Sequence, residues 1–324
     1  MARPSELINT RIISKVSLLY YNLDLTQQQI AKRLNLSRPK VSRLLKQARD
    51  LGIVKITVES AEGKFLDEET ALENKFGLKE AIIVDPEFTD AEASPEAMKF
   101  HLGKAATRYL QRTISDNEVI GMTWGTTLST MIEMMVPIPT KDVHAVQLLG
   151  GVGPPEAKEH SIDITRRLAQ LLNARLTLLQ APGIVNSPET KKVLLADNRV
   201  SEALNLFTKI NTAYVGIGAL STNPVLQKES PEISAQIQNE IINSKAVGDI
   251  GLNFFDINGN PVETHFKDLF IGISLEELKQ IETVVGIAGG PEKFEAILGA
   301  LNGKFINVLV TDKKTAFKLL DIKN

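Results

Sequence analysis

From Phe65 to the end of the chain, short apolar runs alternate with stretches of helical period, and this alternation restricts the fold more than any other feature. The runs lie at residues 81–84, 119–123, 144–149, 175–179, 213–217, 283–287 and 307–311. Helical patterns fall at 66–76, 95–112, 128–135, 162–172, 201–206, 232–243, 292–301 and 313–320. Together they predict an α/β domain around a largely parallel sheet, with no internal repeat and no low-complexity segment. Aromatic residues are only 5% of the chain, so the core must be built from Leu, Ile, Val and Ala. The absence of cysteine excludes a disulfide scaffold, thiolate metal sites and cysteine nucleophiles. No apolar run approaches the ~18 residues of a membrane helix. Residues 1–10, with Arg3, Pro4 and Glu6, lack the apolar core of a signal peptide, so the expectation is a cytoplasmic protein without membrane partners.

The N-terminal part has a different character. Residues 1–60 carry eleven basic and four acidic side chains, a net of +7, while the other 264 carry 26 and 35, a net of −9. A basic head on an acidic body points to a polyanionic partner for the head. Apolar residues at Leu7, Ile8, Ile12, Ile13, Val16, Leu19 and Tyr20 mark a first helix. Thr26 and Gln29 have capping-box spacing and open a second helix through Ile30, Ala31 and Leu34. Asn35 stands where a tight turn requires positive φ. Ser37 is placed as N-cap of a third helix, with Pro39 in its first turn. That helix carries Val41, Leu44, Leu45 and Ala48 on one face and polar or basic residues on the others. An ordinary αα-hairpin with a solvated basic face would account for the helices alone. The small Ala31, the Asn35 turn four residues later and the charge together favour a helix-turn-helix whose third helix enters the major groove of DNA. Thr26, Gln27, Ser37, Arg38, Lys40, Ser42, Arg43 and Lys46 are the candidates for base edges and phosphates. Residues 53–58 alternate like a short strand, either a wing beside the groove or an edge strand. The predicted organisation is a DNA-binding domain over 1–58, a linker over 59–64 and the α/β domain over 65–324.

Ligands of such sheets bind beyond the carboxyl ends of the strands. After the run at 119–123 come Trp124, Gly125, Thr126 and Thr127, then a helix: a glycine for close approach, two hydroxyls and free N–H groups, which suit a phosphate. After 144–149 comes a loop beginning Gly150, Gly151. After 283–287 come Ala288, Gly289 and Gly290, with Lys293 in the first helical turn, where a cation is unfavourable unless an anion shares the site. Asp249, between Gly248 and Ile250, either accepts hydrogen bonds from sugar hydroxyls or is a turn aspartate bonding its own backbone. Residues 256–261 read as a hairpin turn. No dinucleotide or Walker motif is complete, His101, His144, His160 and His265 lack metal spacing, and neither a cofactor, a metal nor a catalytic group is predicted.

These blocks, in this order, resemble the SorC family of bacterial sugar-responsive regulators. The head matches over Thr26–Leu34, Leu36–Leu45 and Gly52–Val54. The body matches at Gly121–Leu128, Leu149–Gly153, Ala246–Asp249, Phe255–Asp256, Ala288–Gly290 with Lys293, and Leu309–Asp312. The resemblance implies a Rossmann-like, phosphosugar-isomerase-like domain used for sensing, and a homo-oligomer, dimer or tetramer. It also implies a transcriptional regulator of carbohydrate metabolism whose affinity for operator DNA is controlled by a phosphorylated sugar. Carried over by position, Gly125, Thr126, Thr127 and Lys293 would hold the phosphate, and Gly150, Gly151 and Asp249 would line the sugar. Leu149 stands where some members have a basic residue, which points to one phosphate rather than two. The alternative is a phosphosugar isomerase or lyase fused to a DNA-binding head, with Asp249 or Glu292 as general base. A third possibility is a nucleic-acid-bound scaffold whose body only oligomerises.

Overall fold

The computed structural model describes residues 4–54, 65–86, 94–151, 155–223, 226 and 234–322, with the backbone alone for 4–9, 155–161 and 222. The chain divides into two units, Met1–Lys64 and Phe65–Asn324.

In the first unit, α1 (Pro4–Ser17) passes into a π-helical turn (Leu18–Asn22), followed by α2 (Gln27–Leu34) and α3 (Arg38–Asp50). Thr26 and Gln29 form the capping box: the Gln29 N–H donates to Thr26 Oγ1 at 3.3 Å and the Thr26 N–H to Gln29 Oε1 at 2.8 Å. Asn35 ends α2 at φ 51° and ψ 47°, left-handed as the turn demands. Ser37 stands at the N-cap of α3 but makes no side-chain capping bond there. Ile13, Val16, Leu19, Ile30, Ala31, Val41, Leu44, Leu45 and Ala48 close one core between the helices. The strand expected at 53–58 does not begin where described. Val54 instead folds back, donating its N–H to Ala48 O at 3.0 Å and packing on the helical core, which removes its backbone from any ladder. Residues 55–58 and the linker at 59–64 lie outside the described residues.

In the second unit each of the seven apolar runs is a strand: β1 (Glu80–Val84), β2 (Val119–Met122), β3 (His144–Gln147), β4 (Arg175–Thr177), β5 (Thr212–Gly216), β9 (Thr283–Ile287) and β10 (Val308–Asp312). They form one sheet in the order β1-β10-β9-β5-β2-β3-β4, with every pairing parallel. Both faces are covered. Ala213 and Val215 of β5 point to one apolar cluster and Tyr214 to the other. The Tyr214 face carries α5 (Pro95–Thr113), α6 (Thr126–Glu133) and α7 (Pro155–Leu171). The opposite face carries α4 (Leu66–Phe76), α9 (Asn198–Asn205), α11 (Leu275–Leu278), α12 (Phe294–Asn302) and α13 (Lys313–Asp321), while α10 (Ala235–Ile242) packs on a smaller third cluster through Ile237 and Ile241. Such two-sided burial is why the strands read as continuous apolar runs.

Three features differ from the sequence reading. A helix, α8 (Pro188–Leu195), was not expected; it buries no side chain and leaves Val193 72% exposed, so it has no apolar stripe to read. The segment around 247–256, for which no strand is predicted, contributes to a small antiparallel sheet of β6 (Gly218–Ala219), β7 (Ala246–Ile250) and β8 (Asn253–Asp256). Its glycines conceal the strand pattern because they are needed for contact: a Cβ on Gly248 would collide with the Ala296 Cβ of α12. The helix expected at 292–301 begins as a 3-10 turn (Pro291–Lys293), which makes Lys293 the N-cap of α12. Residues 256–261 form a turn, with Asp256 Oδ1 accepting from the N–H groups of Asn258 and Asn260.

β2 leads through α6 to β3 on one side, whereas its other neighbour, β5, leads toward β9 and β10. Their chains part in opposite directions, so a crevice opens at the carboxyl ends of β2 and β5. Asn35→Val forces a β-branched residue into a left-handed conformation and is expected to destabilise the helical unit by about 1–2 kcal/mol. Asn35→Gly should be neutral or slightly stabilising, as chemical denaturation of the pair would measure.

Candidate nucleic-acid interface and anion pocket

α3 buries Val41, Leu44, Leu45 and Ala48, which fixes the opposite face outward. Ser37, Arg38, Lys40, Ser42, Arg43 and Lys46 are all exposed, as is Thr26 at the start of α2, while Gln27 is partly buried. Among the described residues, none of the five basic side chains on α3, Arg38, Lys40, Arg43, Lys46 and Arg49, is engaged in an ion pair or hydrogen bond. An unneutralised row of cations beside the N-terminus of an exposed helix is free to meet phosphates, and the small polar residues between them can reach base edges.

The crevice of the second unit is assembled from four loops. After β2, the Thr123 N–H donates to Tyr214 O at 3.2 Å and Thr123 Oγ1 accepts from the Gly216 N–H at 3.4 Å, which ties the end of β2 to β5. Gly125 follows at φ 137°, with no atom within 4 Å of where a Cβ would stand. It is the N-cap of α6 and supplies no capping side chain to the first N–H groups of that helix. Thr126 is exposed and Thr127 is 8% exposed. After β5 comes Gly218, paired with Asp249; a Cβ on Gly218 would collide with Asp249 Oδ1. The Asp249 carboxyl is buried, accepting from Asn223 Nδ2 at 2.8 Å and from the Leu252 N–H at 2.9 Å. The bond to Leu252 is the local backbone turn that the sequence allowed for. Gly251, in that turn, comes within 3.5 Å of the Thr123 methyl when a Cβ is placed on it, so the turn lies against the loop after β2.

The fourth loop follows β9. Gly290, at φ 102°, donates its N–H to Asp312 Oδ2 at 2.8 Å; the same oxygen accepts from Thr315 Oγ1 at 2.6 Å. The buried Asp312 thus holds the glycine loop and caps α13 together. Lys293 is partly buried, and among the described residues its ammonium has no hydrogen-bond or ion-pair partner. Burial lowers its pKa, Asp249 and Glu292 draw it back up, and Lys99 lowers it further. Burial likewise raises the Asp249 carboxyl, opposed by its bonds to Leu252 and Asn223 and by the charge of Lys293. The pair therefore sits in a medium that disfavours both charges.

Gly125, Thr126 and Thr127 form the start of α6 after β2, Lys293 ends the 3-10 turn after β9, and Asp249 lies on β7 just before the turn packed against the loop after β2. Gly150 and Gly151 take another place. A Cβ on Gly150 would stand 2.6–2.7 Å from the backbone of Ala181, Pro182 and Gly183, and Gly151 exchanges hydrogen bonds with Ala181 and Gly183. Gly150 is there for backbone packing, and residues 152–154 of its loop lie outside the described residues. Leu149 is buried among Phe254, Phe266 and Phe270. The sequence reading missed Asn223, Asp312 as the clamp on Gly290, and Lys99. Asp312 alone left a signal, as an N-cap type before a helical run. Among the described residues no three His, Asp or Glu side chains are grouped to hold a metal, and no helix is long and apolar enough to cross a membrane.

Residues 62–321 match the family described as "Putative sugar-binding domain", and residues 11–70 match the "Crp-like helix-turn-helix domain". The chain is 32% identical to the sorbitol operon regulator of Klebsiella pneumoniae over 313 residues, covering 96% of this chain and 98% of that protein. It is 31% identical over 303 residues to the deoxyribonucleoside regulator of Bacillus subtilis, covering 94% and 95% of the two. The crystal structure of the full-length sorbitol operon regulator SorC from Klebsiella pneumoniae is similar, with a TM-score of 0.72 at 30% identity over 96% of this chain and 99% of that one.

Lys293→Met should raise the melting temperature of the ligand-free protein at neutral pH, because it removes a charge the fold disfavours. A lysine whose folded pKa is depressed costs stability below that pKa, and the cost fades as pH rises toward the ordinary lysine range. Thermal melts of wild type and variant should therefore converge at alkaline pH; a variant less stable than wild type at neutral pH contradicts this.

Proposed function

The chain belongs to the SorC/DeoR type of helix-turn-helix transcriptional regulators with a sugar-binding domain, and on that footing we propose that a phosphorylated sugar, bound at the crevice of the second unit, sets its affinity for operator DNA. It is a regulator rather than an enzyme. The observation that carries the proposal is Lys293, a partly buried cation with no hydrogen-bond or ion-pair partner among the described residues, together with a helix start at the end of β2 whose leading glycine supplies no capping side chain. A phosphate relieves both deficits, since it brings about −1.5 to −2 charges at neutral pH and several strong acceptors. In this reading Gly125, Thr126, Thr127 and Lys293 take the phosphate. Asp249 takes sugar hydroxyls with the acceptor capacity left over from Asn223 and Leu252, and Gly151 contributes to the wall of the sugar site beside Gly150, whose packing shapes it.

On the DNA side, Arg38, Lys40, Arg43 and Lys46 neutralise backbone phosphates, and Ser37, Ser42, Thr26 and Gln27 contribute polar contacts at the groove. Binding is then steeply salt-dependent, as released counterions require. Two heads reading paired half-sites call for a homo-oligomer, a dimer or a tetramer. The sugar phosphate acts only through its different affinity for the DNA-competent and DNA-incompetent assemblies.

Fluorescence anisotropy on DNA from upstream of the protein's own gene, with a panel of sugar phosphates and the matching free sugars, tests this reading. Tight, salt-sensitive binding altered by a phosphorylated sugar and not by its free form is expected. Arg43→Ala should weaken DNA binding about tenfold or more, the scale of a lost bidentate or phosphate contact. Lys293→Ala should leave DNA binding intact and remove the response; a normal response from that variant, or no response of the wild type to any member of the panel, refutes the assignment.

A further inference from the structure

The pocket so far has one cation, and α5 brings another. Lys99 lies one turn before Leu102 and Gly103. The Leu102 Cδ1 is 3.2 Å from the position of a Cβ on Gly289, and a Cβ on Gly103 would stand 3.0 Å from Thr130 Cγ2 and Met131 N of α6. The early turns of α5 are thus pinned between the loop after β9 and the helix that follows Gly125, the two elements assigned to the phosphate. Side chains of a helix lean toward its N-terminus, so Lys99 covers the turn beyond these two contacts. It is partly buried, and among the described residues its ammonium has no hydrogen-bond or ion-pair partner.

Lys99 is close enough to Lys293 for their charges to repel, while Asp249 and the exposed Glu292 attract Lys293. Neither acid comes within ion-pair distance of either lysine, and the Asp249 oxygens already accept from Asn223 and Leu252. Two unpaired cations kept near each other raise the energy of the empty pocket and are relieved together by one multiply charged anion. A singly charged ester satisfies only part of that demand.

We propose that Lys99 is a second phosphate-binding cation of this pocket, and that Lys99 and Lys293 together select the dianion of a phosphate monoester over a singly charged ester. The proposal rests on the reading of the crevice as a phosphate site. It adds a residue from a helix that carries none of the glycine motifs, and it gives the pocket a criterion of charge as well as of shape. The presence of Leu149 rather than a basic residue beside Gly150 is consistent with both cations converging on one phosphate.

The test is a calorimetric titration of the full chain with methyl phosphate and methyl sulfate, at a pH where the phosphate ester is a dianion and at constant ionic strength. Wild type should prefer methyl phosphate by about tenfold or more, the scale of one charge-assisted hydrogen bond. Lys99→Met should cut that preference to about twofold, by weakening methyl phosphate more than methyl sulfate. Lys99→Arg, which keeps the charge, should retain most of the preference, and far-UV circular dichroism of both variants establishes that α5 is intact. An unchanged preference in Lys99→Met overturns the role of Lys99 and leaves the phosphate site standing. Failure of the wild type to bind methyl phosphate or any sugar phosphate overturns the site and this proposal together.

Discussion

When every strand of a parallel sheet is covered on both faces, only the strand ends remain open to a ligand. The second unit is built under that constraint: seven parallel strands between two layers of helices, with β2 and β5 side by side and their chains departing in opposite directions. The crevice this creates gathers loops that are remote in sequence, and the packing that surrounds it leaves little freedom. Thr123 ties β2 to β5, Gly218 leaves room for the Asp249 carboxyl, Gly248 lets β7 lie on α12, and Asp312 holds the Gly290 loop to α13. Gly218 has no side chain because the buried Asp249 carboxyl stands in its place, and Gly248 because the Ala296 methyl and the Gly218 carbonyl do.

The energetics of the crevice run against the economy of the rest of the fold. At six helix starts a side chain completes the first turn: Ser94, Ser187, Asp197, Ser234, Ser274 and Asp312 each accept a backbone N–H, whereas α4 and α12 have no capping side chain. At α6 the capping position is a glycine, and Lys99 and Lys293 have no hydrogen-bond or ion-pair partner among the described residues. Local stability is lower here than a repacked, uncharged site would give, which is the pattern of groups held ready for a ligand that completes them. The helical unit shows the same division of labour on a smaller scale. Its apolar face is closed around Ile30, Val41 and Ala48, its caps and turn at Thr26 and Asn35 are satisfied, and its basic face is left without partners.

Much of this was legible in the sequence, for identifiable reasons. Strands buried on both sides are short continuous apolar runs, and all seven are legible, the run at 283–287 with both ends in place and the other six with an end displaced by one or two residues. The capping box and the left-handed Asn35 were legible because both are local. What escaped detection depends on tertiary contact. α8 buries nothing, β6 and β7 are built on glycines that serve packing, and Gly150 reads as a ligand loop although backbone surrounds it. Asn223 reaches Asp249 across 26 residues and Asp312 reaches Gly290 across 22, so neither partnership has a local signature. Lys99 is one charge among several on an ordinary helix until α5 is placed against Gly289.

In the proposed function, a sugar phosphate in the crevice and DNA on the helical unit are thermodynamically coupled, and coupling is reciprocal. The measurement is the affinity of the protein for the sugar phosphate that alters operator binding, by calorimetry, in the free state and in complex with operator DNA. Coupling requires two different affinities, whose ratio equals the factor by which the sugar phosphate changes the affinity for the operator. Identical affinities in the two states, with both ligands bound tightly, would contradict it.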